Sequence, residues 1–332
     1  MSPRTAVVLV ALAVALGASV VLATMFGAVP LVAADVFGSF FGDTDRTTGI
    51  IVRDIRFPRV IAAALVGAAL AAAGALLQGL LRNPLADPYV TGTSAGGALG
   101  AVVAVTIGAY GAWIPLLAFV GALGSVALVW QLARLGGRTT VLTVLLAGVV
   151  LSSFAGAAVS FVLVATDRLG LRVRSVLDVL VGSVTSRALP DLAAAAAIIG
   201  LGLAIALLIA PRIDAYAFGE EQAAALGVDT ERTTLIALTA TALLAGAAVA
   251  LAGLVGFVGL VIPHALRAVV GAAHRRLVAT SALAGATALV VADAGARIVV
   301  APTELPVGVI TGLVGAPFFL LLLYRSRRTV IV

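Results

Sequence analysis

LAAAAAIIGLGLAIALLIA, Leu192 to Ala210, carries no charge over 19 residues, and PRIDAYAFGEEQAAALGVDTERT, Pro211 to Thr233, follows it at once. At Thr234 the chain turns apolar again. Roughly 20 mainly apolar residues are enough to cross a bilayer as a helix, so the order reads as span, loop, span. Within the loop, Gly219 to Gly227 has the makings of a short helix. Glu220 and Glu221 occupy its first turn, where the macrodipole favours acids, alanines fill the middle, and Gly227 stands where a C-cap belongs. So short a helix does not hold its shape alone. It rests on the spans, on a partner or on both, unless the segment is only a solvated loop.

Working outward, the same alternation fills the chain. Hydrophobic residues make up 62% of 332 and charged residues 11%, at a mean hydropathy of +1.21. A soluble domain has no use for that much apolar surface, so the fold class is an all-α polytopic membrane protein. All 21 basic residues are arginines. The absence of lysine excludes a phosphate-binding P-loop and Schiff-base chemistry. The absence of cysteine excludes disulfides and thiolate sites. His264 and His274 are too few and too far apart for an all-histidine metal site, and no basic cluster is interleaved with aromatics to suit nucleic acid.

In chain order, Ala6 to about Phe26 is longer than the apolar core of a signal peptide and is read as an uncleaved first helix. A polar segment, Asp35 to Arg59, precedes the second span, Val60 to Leu81, whose glycines and alanines suit close packing. Its one strongly polar residue, Gln78, is either a satisfied interhelical bond or part of a lining. Arg82-Asn83-Pro84-Leu85-Ala86-Asp87-Pro88 breaks the helix. A short third span, about Val90 to Ile107, contains Ser94 in a small-residue run that packs tightly or lines a cavity. The fourth and fifth spans, Trp113 to Ala133 and Val141 to Ala165, flank an Arg134-to-Thr140 turn, and Leu171 to Val184 could form a short surface helix. The sixth ends at the loop quoted first. After the seventh, Thr234 to about Ala252, glycines break the chain before Pro263 and His264. A short eighth helix to about Val270, a ninth to about Ile298 and a tenth from Val307 to Tyr324 complete about ten.

Ten helices put both termini on one side. With the N-terminus inside, twelve arginines fall on inner segments and eight on outer ones, a weak bias in the positive-inside sense. The loop from Pro211 to Thr233 is then cytoplasmic. Each half, about 1–190 and 191–332, carries one proline-broken segment, as transporters built from repeats often do.

Arg56-Phe57-Pro58-Arg59, Gly67-Ala68, Gly74, Gln78 and the Arg82-to-Pro88 run strongly resemble the FecCD-type permeases. Gly219-Glu220-Glu221, Ala224, Leu226-Gly227, the run Gly256 to His264, Arg267, Asp293, Arg297, Glu304 to Gly308 and Gly315 to Phe318 match as closely. The resemblance covers the whole chain in order. It departs before Gly182-Ser183, where the family often has a tryptophan and this chain has none.

The resemblance implies the type II fold of ABC importers for ferric siderophores, haem and cobalamin, in a prokaryotic plasma membrane. It also implies one permease domain over 1–332, paired with a second copy or a paralogue, with the pathway between them. Two cytoplasmic ATPase subunits would carry ATP and magnesium, and this chain would bind no cofactor or metal. Gly219, Glu220, Glu221, Ala224, Leu226 and Gly227 would seat in an ATPase groove, within the coupling loop 211–233. Arg56, Arg59 and Arg297 would dock an extracytoplasmic binding protein. Against docking stand headgroup anchoring for Arg56 and Arg59, and neutralisation of Asp293 for Arg297, four residues on. Gln78, Asn83, Pro84, Ser94, Thr140, Thr143, Pro263 and His264 are candidates for pathway or gate, although His264 after Pro263 could equally satisfy loose backbone groups.

Rival classes fit less well. An ion-coupled secondary transporter places acids or histidines within its spans, and here only Asp293 falls there. A membrane enzyme would need paired acids or a metal cluster, which the sequence does not offer, and a channel gives no role to the proline-broken segments or the acidic loop. Of the chelates, a ferric siderophore is the first expectation.

Overall fold

The computed structural model describes residues 3–27, 29–109, 111–134, 141–167, 179–186, 189–300 and 303–329. These residues form helices and connections and no strand. The helices are α1 (Pro3–Met25), α2 (Ala33–Phe41), α3 (Arg46–Ile50), α4 (Phe57–Leu80), α5 (Thr93–Thr106), α6 (Trp113–Arg134), α7 (Val141–Asp167), α8 (Leu189–Ala215), α9 (Glu220–Ala225), α10 (Thr230–Ala252), α11 (Val258–Val270), α12 (His274–Ile298) and α13 (Val307–Thr329). A π-helical stretch, Ile51–Arg56, joins α3 to α4. Among the described residues seven helical segments are long and apolar enough to cross a membrane, and three shorter apolar helices, α5, α11 and Val307–Leu321 of α13, bring the number to ten. The protein is an all-helical, membrane-embedded bundle, as the composition requires.

The bundle is organised around α4. Val60 to Leu80 is buried along most of its length, and α4 packs on α8, α10, α11 and α12. Glycines make these contacts possible. A Cβ added at Gly67 would land on the carbonyl of Gly285 in α12, and one at Gly74 on the carbonyl of Gly259 in α11. Without a hydrophobic force between helices in lipid, such backbone approach is what holds them together. By contrast, α1 keeps Val7, Val10, Val14 and Leu22 exposed, as a peripheral helix in lipid should.

The chain breaks near both expected places, at Arg82 to Pro88 and, ahead of Pro263 rather than at it, at Gly253 to Phe257, and both breaks return the chain to the middle of α4. After Leu81 the backbone runs non-helically to Pro88, whose ring lies against Gly259 of α11, beside the Leu70 carbonyl of α4 that Gly259 also approaches. Only then, after the 3-10 turn Pro88–Thr91, does α5 start, which is why its 14 residues rise just ~21 Å. The second break precedes α11, of 13 residues. Among the described residues the two non-glycines with positive φ mark these two places, Arg82 at 49° and Phe257 at 69°. Each costs ~1–2 kcal/mol. At Arg82 that cost is offset by a closed helix end, with its N–H donating to the Gly79 carbonyl at 3.2 Å and the Asn83 N–H to the Gln78 carbonyl at 3.1 Å.

Two boundaries differ from expectation. The eighth helix begins at Val258 and not after His264, so Pro263 and His264 lie within it. The sixth persists through Pro211 to Ala215, because a proline near a helix end removes one N–H without displacing a long run. The Arg134-to-Thr140 turn past Arg134, and Leu171 to residue 178 of the expected surface helix, lie outside the described residues. Where that segment is described, residues 179–181 are helical and Gly182 turns left-handed.

Candidate functional site

The two ends of α4 carry two constellations. At the Phe57 end, Arg56, Arg59 and Arg297 come together, as the resemblance implies. Arg59 on α4 faces Asp293 on α12. Its Nε donates to both carboxylate oxygens at 3.1 and 3.2 Å, its Nη2 to Oδ1 at 3.0 Å, and its Nη1 to Glu304. Arg297 closes on the other side of Asp293, with Nε 3.2 Å from Oδ2. Asp293 is 1% exposed, so two guanidiniums compensate a charge that would otherwise be very costly to bury. Neutralisation of Asp293 by its i+4 arginine is therefore present in the geometry.

Both remaining arginine contacts go somewhere that neither docking nor anchoring anticipates. Arg56 donates to the Thr24 carbonyl at 3.1 Å, the Met25 carbonyl at 2.9 Å and the Val29 carbonyl. Arg297 donates to Ala23 at 2.9 Å and Phe26 at 3.2 Å. These are carbonyls at the C-terminus of α1 and just beyond it, where cations are favoured. Arg56 and Arg297 thus fasten α1 to the bundle, while Glu304, about half exposed, is the only acid of the cluster that reaches the surface.

At the Leu80 end stands the quoted loop. Gly219, at φ 111°, lets α9 start, and Gly227, at φ 84°, ends it. The Val228 N–H reaches the Ala223 carbonyl at 3.0 Å to close the terminus. Ala223 is buried against the bundle, whereas Glu221, Gln222, Ala224, Ala225 and Gly227 face outward. Phe218 and Leu226 are 72% and 69% exposed. Two large apolar side chains thus stand exposed on either side of a short helix on a polar face. Tyr216, buried beneath, donates its hydroxyl to the Thr230 carbonyl at 2.8 Å and lies 3.1 Å from the Thr234 hydroxyl, so the loop's two ends are tied.

Between loop and break lies Gln78. Pro263 has no N–H to give the Gly259 carbonyl one turn back, and the Gln78 amide occupies that gap, with Nε2 3.4 Å from Gly259 O and 3.1 Å from Leu260 O. Its Oε1 accepts from Arg267 at 3.2 Å. Gln78 is thus an interhelical bond that repairs a proline break. His264 does not cap the helix, and its Nδ1 has no hydrogen-bond partner among the described residues.

Asn83 makes a turn, its Oδ1 accepting from the Leu85 N–H at 2.9 Å, and Asn83 and Pro84 are exposed. The Arg82 guanidinium reaches toward Gly219, so this segment and the loop are neighbours. Asp87 caps the 3-10 turn through the Tyr89 N–H at 2.9 Å. Burial lifts its carboxyl to about 6 against the pull of that N–H. Ser94 and Thr143 are half-buried, in the first turns of α5 and α7, two helices in contact. Thr140 lies outside the described residues. Sequence reading missed Asp214, which binds His274, and Tyr216. Both were hidden inside a loop read only for its short helix, and an acid two residues before a tyrosine was the available signal.

Comparison with known proteins places this arrangement. The FecCD transport family profile matches residues 12–325. An uncharacterised ABC transporter permease of Bacillus subtilis is 41% identical over 88% of this chain and 84% of its own. The cobalamin import system permease of Halobacterium salinarum is 43% identical over 85% and 75%, and the hemin transport system permease of Yersinia pestis 40% identical over 83% of each. A solved structure of an inward-facing metal-chelate type ABC transporter superposes with a TM-score of 0.82, at 29% identity, over 96% of this chain and 98% of that one.

Proposed function

This chain belongs to the FecCD transport family, and on that footing we propose that it is the permease subunit of an ABC importer moving a bulky metal chelate into the cytoplasm. A ferric siderophore is the first candidate. Haem and cobalamin are the alternatives, since relatives of both kinds match along most of the chain. The observation that carries the reading is the outward-facing α9 with Phe218 and Leu226 beside it, a docking surface on a chain that has no lysine for a P-loop of its own. Two ATPase subunits bind there and hydrolyse ATP with magnesium. A second permease copy or a paralogue completes the pathway. The Pro211-to-Thr233 face and both termini are cytoplasmic, and the Arg56 face is extracytoplasmic.

At that outer face the binding protein docks over the arginine cluster. Arg59 makes the contact, being linked to the surface through Glu304, while Arg56 and Arg297 stand behind it and hold α1. The inner gate is built from the exposed Asn83–Pro84 turn, with Ser94, Thr143 and the Pro263–His264 turn of α11 along the pathway.

The test is reconstitution. The purified chain alone hydrolyses no ATP. Added ATPase subunits bring hydrolysis, and binding protein loaded with chelate stimulates it. ATP turnover by the pure chain, or assembly with the ATPase unaffected by an acid at Leu226, would overturn the reading.

A further inference from the structure

Among the polar contacts that join the loop on the cytoplasmic face to the bundle, the one to α12 has an unusual geometry. Asp214, in the last turn of α8, places a single carboxylate oxygen 2.8 Å from the backbone N–H of His274 and 2.6 Å from its ring Nδ1. His274 is the first residue of α12 and is buried. A carboxylate only accepts, so Nδ1 carries the proton and donates. Nε2 is left without a partner, pressed on α4, where a Cβ at Gly79 would collide with it and with Ile213. One carboxylate thus caps α12 and sets the tautomer and direction of the imidazole, which is wedged against the only kind of residue that admits it.

Two neighbours give this contact its consequence. Only Gly271 to Ala273 separates His274 from the end of α11, so whatever moves the first turn of α12 moves the last turn of α11. The other end of α11 is held by Gln78 of α4, through the carbonyls of Gly259 and Leu260. The broken helix is pinned at one end to the central post and at the other to the loop that seats the ATPase.

We propose that Asp214 and His274 form the strut through which displacement of the loop by the ATPase reaches α11, turning it about Gln78. They are positioning residues, and the role rests on the docking assigned above to α9. Tyr216 completes the part. By tying the loop to Thr230 and Thr234, it makes the segment move as one piece, so that force on α9 arrives at Asp214 without being lost in the loop.

The chain has no cysteine, so two can be placed as spin-label sites without background. Arg4→Cys reports the peripheral α1 and Ala265→Cys the exposed side of α11. In the full complex in liposomes, ATP with vanadate shifts the 4–265 distance. In His274→Ala the complex assembles and hydrolyses ATP, but that shift falls to less than a third. His274→Asn, which keeps a donor near the Nδ1 position, retains it. Asp214→Asn, which keeps an acceptor for the helix cap, gives a partial loss without threatening the fold. A full shift in both His274→Ala and Asp214→Asn overturns the strut while leaving the docking intact. No shift in the unaltered complex, or no assembly with the ATPase, overturns the docking and the strut with it.

Discussion

Arg56 and Arg297 show how far a residue's role depends on its surroundings. Both are cations next to a span, and both turn inward, onto carbonyls at the end of α1 that lie more than twenty residues away from either along the chain. Asp87 gives a residue-scale prediction. Its carboxyl is lifted from 3.8 to about 6 in the folded chain, so between those values the native state holds a proton that the unfolded state has lost. Stability therefore falls as pH rises from about 4 to about 6 and is level above. Two units correspond to roughly 3 kcal/mol at most. Asp87→Asn, which still caps the 3-10 turn, loses this decline. Thermal unfolding in detergent across that range should show the two midpoints diverging with pH, and parallel curves would contradict the account.

Helix α9 is too short to be stable by itself, and its ends are supplied by Gly219 and Gly227 and its floor by Ala223. Its outer side is free to serve a partner. Ala224 is exposed, so Ala224→Arg leaves the permease in the membrane at its normal level. It should weaken ATPase co-purification and cut chelate uptake tenfold or more, because a seated small residue leaves no volume for a long one. Gly227→Glu adds the strain of a side chain at positive φ and should lose more. Normal uptake by Ala224→Arg with ATPase bound would remove α9 from the interface.

For the whole molecule the outer cluster poses a competition. Glu304 occupies Arg59 from the surface side, where a carboxylate of the binding protein would have to sit. Glu304→Ala should therefore speed association of the binding protein with reconstituted permease and tighten it by up to about tenfold, or 1.4 kcal/mol, with a steeper dependence on salt. Arg59→Gln should weaken it. Association rates indifferent to both changes would return the cluster to a purely internal role, the bracing of Asp293 and α1.

The sequence by itself determined the membrane class, the number of apolar helices, the proline break at Pro84 to Pro88, the glycine break ahead of Pro263 and the short helix with its glycine cap. Each of these follows from local composition, from a ring that removes an N–H, or from a residue tolerant of positive φ, and none needs a distant partner. It also brought Arg56, Arg59 and Arg297 together by resemblance. What only the tertiary structure decided is where polar groups find their partners. Gln78 closes the gap left by Pro263, 185 positions later in the numbering. Asp214 holds His274 across 60 residues, and Arg59 is shared between Asp293 and Glu304. In a medium that offers no water, every such group must be satisfied inside the bundle, and the packing of α4 by its glycines determines which partners come within reach.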